Sequence, residues 1–334
     1  MFRPIEKLLR SMVGLVAVVM LFSSCSSLET VEPNKRLDRV TTNAQYLETY
    51  KIGASAGGGA PHYKREYFLY GDLKIACHIY LPKNPIGTVF ILHGYFDHAG
   101  SLRYAINSAL QKGYAVFSYD LPGHGISSGE MGDIYGIENN ASMLGELLTH
   151  YSQSLPMPRH LIGFSTGGAI AIEYSRVADV SEFQSIVLVS PLIRHEKWKW
   201  GRFAYRLFSP FKKHLKRVDK NNSSNIKYLE FAKNDPLRNS HLSLSFLADL
   251  YQWNDDLAGS SPLSQSFLVI QGDSDNVVDW KFNVNYLEAN TTGSVLVMVK
   301  NAKHQLFNEN ENLRETVFTH IFDYFEKDMT DGID

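Results

Sequence analysis

The stretch 161-LIGFSTGG-168 sets a serine among small residues directly after an apolar run. Two readings compete for it. Ser165 is either a reactive hydroxyl or part of a tight turn between a strand and a helix. Gly-x-Ser-x-Gly alone is a loose pattern that long chains match by chance, so the rest of the chain must decide. Upstream, RHLIGFS reads as a buried strand; downstream, residues 166–180 carry a helical pattern.

The same alternation extends in both directions. EYFLY and LKIACHIYLP flank Gly71-Asp72 and predict a hairpin. TVFILHG and YAVFSYD are continuous apolar strands of the kind buried on both faces, and SLRYAINSALQKG between them has helical spacing that stops at Gly113. Residues 139–154 read as helix, SIVLVSP, SFLVIQGD and SVLVMVK as strands, and residues 310–327 as a closing helix. Strands alternating with helices predict an α/β fold with a mostly parallel central sheet flanked by helices. Residues 192–265 interrupt the rhythm with helical patterns and no convincing strand, which predicts a helical cap inserted over the sheet. The expected division is therefore a core of residues 63–191 and 266–330, the cap at 192–265, and a tether and entry segment at 25–62.

In an open parallel sheet, ligands bind at the carboxyl ends of the strands. Ser165 follows one strand end, Asp273 and Asp275 follow SFLVIQG, and His304 follows SVLVMVK. That order, Ser then Asp then His at strand–loop junctions, is the nucleophile-elbow arrangement. Serine is a poor nucleophile at its own pKa and needs a base within hydrogen-bond reach. His304 can supply it, with an aspartate holding the imidazole tautomer; both Asp273 and Asp275 are placed for that task. Gly163 and Gly167 remove side chains that would clash where strand and helix pass closely. An oxyanion needs two fixed donors: the backbone N–H of Thr166 at the helix start, and one from the loop after TVFILHG, most simply that of Tyr95.

The set HGYFDHAGSLRY, YDLPGHGISSG, GFSTGG, GDSDNVVD and KHQLFNE resembles the monoacylglycerol lipase and lysophospholipase branch of the α/β-hydrolases, the serine aminopeptidase S33-like hydrolases. The resemblance runs from about residue 67 to 325. It implies an α/β-hydrolase fold with a cap, Ser165 as nucleophile, His304 as base, Asp275 rather than Asp273 as acid, and Tyr95 and Thr166 as oxyanion donors. His93 and Gly94 match the His-Gly turn that shapes that hole. Where many members carry Gly-Glu-His, this chain has Phe96-Asp97-His98, a departure that falls on the substrate mouth. His98 and His124 are expected to pin loops by hydrogen bonds, and Asp120 precedes the serine in the wrong order for the acid.

The bulk numbers exclude some classes. Net charge is −2, with 44% hydrophobic and 20% charged residues, so nothing points to nucleic acid. No His/Asp/Cys set has metal-ligand spacing, and the chemistry needs no cofactor. MFRPIEKLLR, the apolar run of residues 11–22 and SSCSS predict an export signal over residues 1–24. The residues before Cys25 resemble a bacterial lipobox, although Phe22 stands where leucine is usual. The expectation is acylation at Cys25 and a lipoprotein of the cell envelope facing the periplasm or exterior, with a plain secreted protein as the alternative. Cys77, the other cysteine, would be a lone buried thiol.

Residues 194–218 carry nine Lys/Arg against the single acid Glu196, interleaved with aromatics at helical spacing; Ser209-Pro210 is expected to start a second helix. Such a segment can meet anionic lipid or can turn its apolar face to the core with its charges solvated. Either way, a greasy roof favours long-chain or medium-chain lipid esters. The competing functions are a proline aminopeptidase-like peptidase or amidase, for which Asp255-Asp256 could anchor a substrate amine, and a catalytically silent binding lipoprotein.

Overall fold

The computed structural model describes residues 42–53 and 61–331, with side chains to residue 327. The segment expected to be an export signal, and Cys25, lie outside the described residues. The chain runs α1 (Asn43–Tyr50), β1 (His62–Tyr70), β2 (Leu73–Leu81), β3 (Thr88–Leu92), a 3-10 turn (Ala99–Leu102), α2 (Arg103–Gln111), β4 (Ala115–Tyr119), α3 (Ile137–Tyr151), β5 (Arg159–Phe164), α4 (Thr166–Val177) and β6 (Ser185–Val189). The insertion follows as α5 (Trp198–Phe208), β7 (His214–Lys216), α6 (Ile226–Asn234), β8 (His241–Ser243) and α7 (Leu244–Ala258). The chain then returns through β9 (Leu268–Gly272), α8 (Trp280–Asn290), β10 (Val295–Val299), a 3-10 turn (Leu306–Asn308) and α9 (Glu311–Asp331).

Eight strands form one sheet in the order β1-β2-β4-β3-β5-β6-β9-β10. β1 and β2 are antiparallel, as are β2 and β4; all pairs from β4 to β10 are parallel. Because side chains alternate across a strand, the fully buried β3 feeds two cores. Phe90 and Leu92 join Phe117, Leu161 and Ile170 on one face; Val89 and Ile91 join Val116, Ile162 and Phe322 on the other. Register aligns Leu92 with both Tyr119 and Gly163, and Phe164 with Val189. The parallel strands therefore end along one edge, and the residues just past those ends gather there.

Two expectations change. The stretch 25–62, read as a loose tether, contains α1, closed by a capping box in which the Thr42 hydroxyl accepts the Gln45 N–H and the Gln45 side chain accepts the Thr42 N–H. Tyr46 and Tyr50 of α1 are fully buried, a docking that its short, sparsely apolar sequence does not announce. The insertion, read as free of strands, contains the antiparallel ribbon β7–β8, pairing His214 with Ser243 and Lys216 with His241. Strands of three residues are too short to show alternation. Ser209-Pro210 ends α5 rather than opening a second helix: the Ser209 N–H still bonds Tyr205, and the chain then turns toward β7.

The insertion is anchored as well as draped. Phe246, Leu250, Trp253 and Leu257 of α7 belong to the core over β3. The Trp253 indole N–H donates to buried Glu173 on α4 at 2.9 Å, and Arg176 grips the same carboxylate with two bonds.

Candidate active site

Ser165 bridges β5 and α4 with φ 52° and ψ −110°, a region non-glycine residues avoid at a cost of about 1–3 kcal/mol. Surrounding bonds over-determine it. Its N–H donates to Val189, and its carbonyl accepts from Gly168, Ala169 and Leu192. A Cβ on Gly163 would lie 2.5 Å from the Gly167 carbonyl oxygen, and one on Gly167 would lie 2.5 Å from that of Leu92. The glycines are thus what lets the start of α4 pass so close to β5 and to Leu92 of β3. Gly94 faces the Ser165 Cβ, where an added Cβ would stand 3.0 Å away.

Ser165 Oγ lies 3.1 Å from His304 Nε2, and His304 Nδ1 lies 2.8 Å from Asp275 Oδ2. All three side chains are buried. Asp275 Oδ1 accepts the N–H groups of Val277 (2.8 Å) and Val278 (3.1 Å), while Gln271 Nε2 donates to Oδ2 at 3.0 Å. Burial acts to raise the Asp275 pKa; the His304 ring and the two backbone N–H groups outweigh it and hold the carboxyl below its usual range. Asp273, the rival, is turned away, accepting from Asn301 and Ser274 instead. The chain carboxylate–imidazole–hydroxyl can take a proton from the hydroxyl and return it to a leaving group.

The Tyr95 N–H donates to Thr166 Oγ1 at 3.2 Å, which brings one expected backbone donor against the residue that bears the other, at the start of α4. His93 is neutral by arrangement: Nδ1–H donates to the Gly94 carbonyl, Nε2 accepts the Leu121 N–H, and burial lowers its pKa. It locks the loop bearing Tyr95. His124 bonds the Pro122 carbonyl through Nδ1. His98 Nε2–H donates to Asp235 Oδ2 at 2.9 Å while its Nδ1 accepts the Gly100 N–H. Phe96, where a glycine is usual in the resembled family, adopts φ 71°.

Several supports were not legible beforehand. The Tyr95 hydroxyl donates to Gly132 and accepts the Ser243 N–H, and its ring stacks on Phe246 at 3.9 Å, tying the loop to the insertion. Tyr50 of α1 donates to Asp235 Oδ1. The Ser190 hydroxyl holds the His304 carbonyl. Buried Glu309 accepts from Lys303 N and Ser224 N, clamping the His304 loop to the insertion. The acid pair Asp255-Asp256 is occupied: Arg202 grips Asp255 with two bonds, and Gln252 bonds Asp256. Among the described residues, no group of His, Cys, Asp or Glu could hold a metal ion, and no helix is long and apolar enough to cross a membrane. Cys77 is buried, which pushes its thiol up to about 12.

Comparison with known proteins gives consistent results. The profile of the family described as serine aminopeptidase, S33 matches residues 83–311. An uncharacterised abhydrolase domain-containing protein of Dictyostelium discoideum is 22% identical over 252 residues, 73% of this chain but only 26% of that protein's length. A monoglyceride lipase homolog of monkeypox virus is 23% identical over 71% of this chain and 88% of its own. The solved structure of a soluble variant of Saccharomyces cerevisiae monoglyceride lipase, bound to a substrate analog, superposes with a TM-score of 0.68 at 18% identity, covering 80% of this chain and 96% of that one.

Proposed function

The chain belongs to the serine aminopeptidase S33 family of hydrolases and has the α/β-hydrolase fold, and on that premise we propose that it is a serine carboxylic-ester hydrolase cleaving monoacylglycerols or lysophospholipids through an acyl-enzyme on Ser165. The observation that carries this reading is the buried Ser165–His304–Asp275 chain opening beside the Tyr95 and Thr166 N–H groups. His304 takes the Ser165 proton as Oγ attacks the ester carbonyl. The oxyanion forms against the two N–H groups, and His304 protonates the departing alcohol. Water then repeats the sequence on the acyl-enzyme. Asp255, one of the two acids that could anchor a substrate amine, is already engaged by Arg202, which weighs against a peptidase.

The insertion supports a lipid surface as the source of substrate. Trp200, Phe203, Leu207 and Phe211 are 69%, 55%, 50% and 82% exposed, among exposed Lys197, Lys199, Arg206 and Lys213. Exposed aromatics in a cationic field suit the face of an anionic bilayer. Acylated Cys25 in the cell envelope would hold the enzyme near it; mass spectrometry of the mature N-terminus tests the anchor and separates it from plain secretion. A fluorophosphonate probe should label the wild type and not Ser165→Ala. Absence of labelling on folded wild type overturns the serine-hydrolase reading.

A further inference from the structure

Arg217 follows β7, and its backbone N–H bonds Ser240 across the ribbon. Its guanidinium lies over the Phe96 ring, 4.2 Å from the centroid. The ring it covers belongs to the residue that follows Tyr95, an expected oxyanion donor. Only 11% of the Arg217 side chain is exposed.

The pairing of this buried cation is incomplete. Arg217 Nε reaches Asp219 Oδ1 only at 3.5 Å, and Asp219, 59% exposed, is shared with Arg238 at 3.2 Å. Arg217 Nη1 and Arg238 Nε are buried with no hydrogen-bond partner. The other carboxylate nearby, Asp97, is turned to Gln305 Nε2 at 3.0 Å; with Asp219 it balances the two guanidinia, so what the site offers an anion is unfilled N–H donors and not net charge. Burial and the adjoining Arg238 push Arg217 down to about 10, which still leaves it charged at neutral pH. An orphaned N–H on a buried cation is costly unless a ligand completes it, and the planar fork of arginine matches phosphate oxygens. The cation–π contact with Phe96 helps hold the guanidinium in place.

We propose that Arg217, backed by Arg238, is a phosphate subsite that recognises the head group of a lysophospholipid in the Ser165 site. The preference of the enzyme then lies with phosphate-bearing lipid monoesters over neutral monoacylglycerols. This rests on the acyl-transfer reading of Ser165.

The test compares palmitoyl lysophosphatidylglycerol with monopalmitoylglycerol in the same detergent micelles, using full-length wild type, Arg217→Gln and Arg217→Lys. The ratio of kcat/KM for the two substrates should fall roughly 10- to 100-fold in Arg217→Gln, chiefly through KM for the phospholipid. Arg217→Lys, which keeps the charge without the fork, should recover part of it. An unchanged ratio, or equal loss on both substrates, overturns the subsite. Millimolar inorganic phosphate that inhibits wild type but not Arg217→Gln, without any lysolipid preference, assigns the site to free phosphate and overturns the head-group reading. Fluorophosphonate labelling separates the failures. A labelled wild type without phosphate discrimination overturns the subsite alone, whereas an unlabelled wild type overturns the hydrolase reading beneath it.

Discussion

Exchanging Asp275 for asparagine alters hydrogens more than volume, and the surrounding donors dictate how the new side chain must sit. Oδ1 of Asp275 receives two backbone N–H groups, from Val277 and Val278. Those donors accept no substitute but the amide oxygen, so the asparagine NH2 must face His304 Nδ1. There it donates, which forces the imidazole proton onto Nε2. The ring then presents N–H to Ser165 Oγ, across the 3.1 Å contact through which it should accept a proton. The base is held in the wrong tautomer, and the NH2 also meets the Gln271 amide donor that Asp275 accepts at 3.0 Å. A loss of about 1,000- to 10,000-fold in kcat is expected, about 4–5.5 kcal/mol of barrier. Hydrolysis of a soluble p-nitrophenyl ester measures it, with circular dichroism to verify folding. Asp273→Asn should stay within about threefold of wild type, as an exposed site away from the ring. Asp275→Asn within tenfold of wild type would refute the tautomer argument.

Replacing Trp200, Phe203 and Phe211 together with serine should lower partition onto phosphatidylglycerol vesicles at least about tenfold, since each buried aromatic contributes about 1.5–3 kcal/mol when fully withdrawn from water. Sedimentation reads it, raised salt should weaken wild-type binding, and equal partition of the two proteins would sink the docking face. The Asp235 carboxyl feels burial, which raises its pKa, but His98 and the Leu237 and Tyr50 donors hold it below the ordinary value. A depressed folded pKa stabilises above the unfolded value near 4 and is lost as pH falls through the folded one. The stability gap between wild type and Asp235→Asn, of order 3–5 kcal/mol for a broken buried pair, should therefore narrow below about pH 4 in urea titrations, and narrow again as pH rises above about 6.5, because Asp235 also holds the His98 pKa above its ordinary value. A gap independent of pH would contradict this.

The parallel core was legible because buried strands such as TVFIL are continuous apolar runs bounded by turn residues, and the ordering of Ser165, Asp275 and His304 followed from their places after strand ends. What the sequence concealed is interaction between distant segments. Asp235 lies 137 residues from His98 and 185 from Tyr50, and nothing local marks it except the turn-forming Asp-Pro pair. Tyr95 was readable as a backbone donor but not as a phenol bridging Gly132 and Ser243. The α5 stripe shows the converse limit: an amphipathic helix reads the same whether its aromatics face core or water, and only packing shows them facing water.

Helix α1 is a working part of the folded core. Its Tyr46 ring stacks against Tyr63 and His78, and its Tyr50 hydroxyl holds the carboxylate that holds His98. For anyone trimming the chain for soluble production, Thr42 and the helix it caps must stay. A protein started at residue 61 would retain every strand of the described residues and all three of Ser165, Asp275 and His304. It would nonetheless bare an aromatic stack to water and slacken the loop that presents Tyr95. Poor turnover in such a shortened protein would report a missing brace, with the catalytic chemistry itself intact.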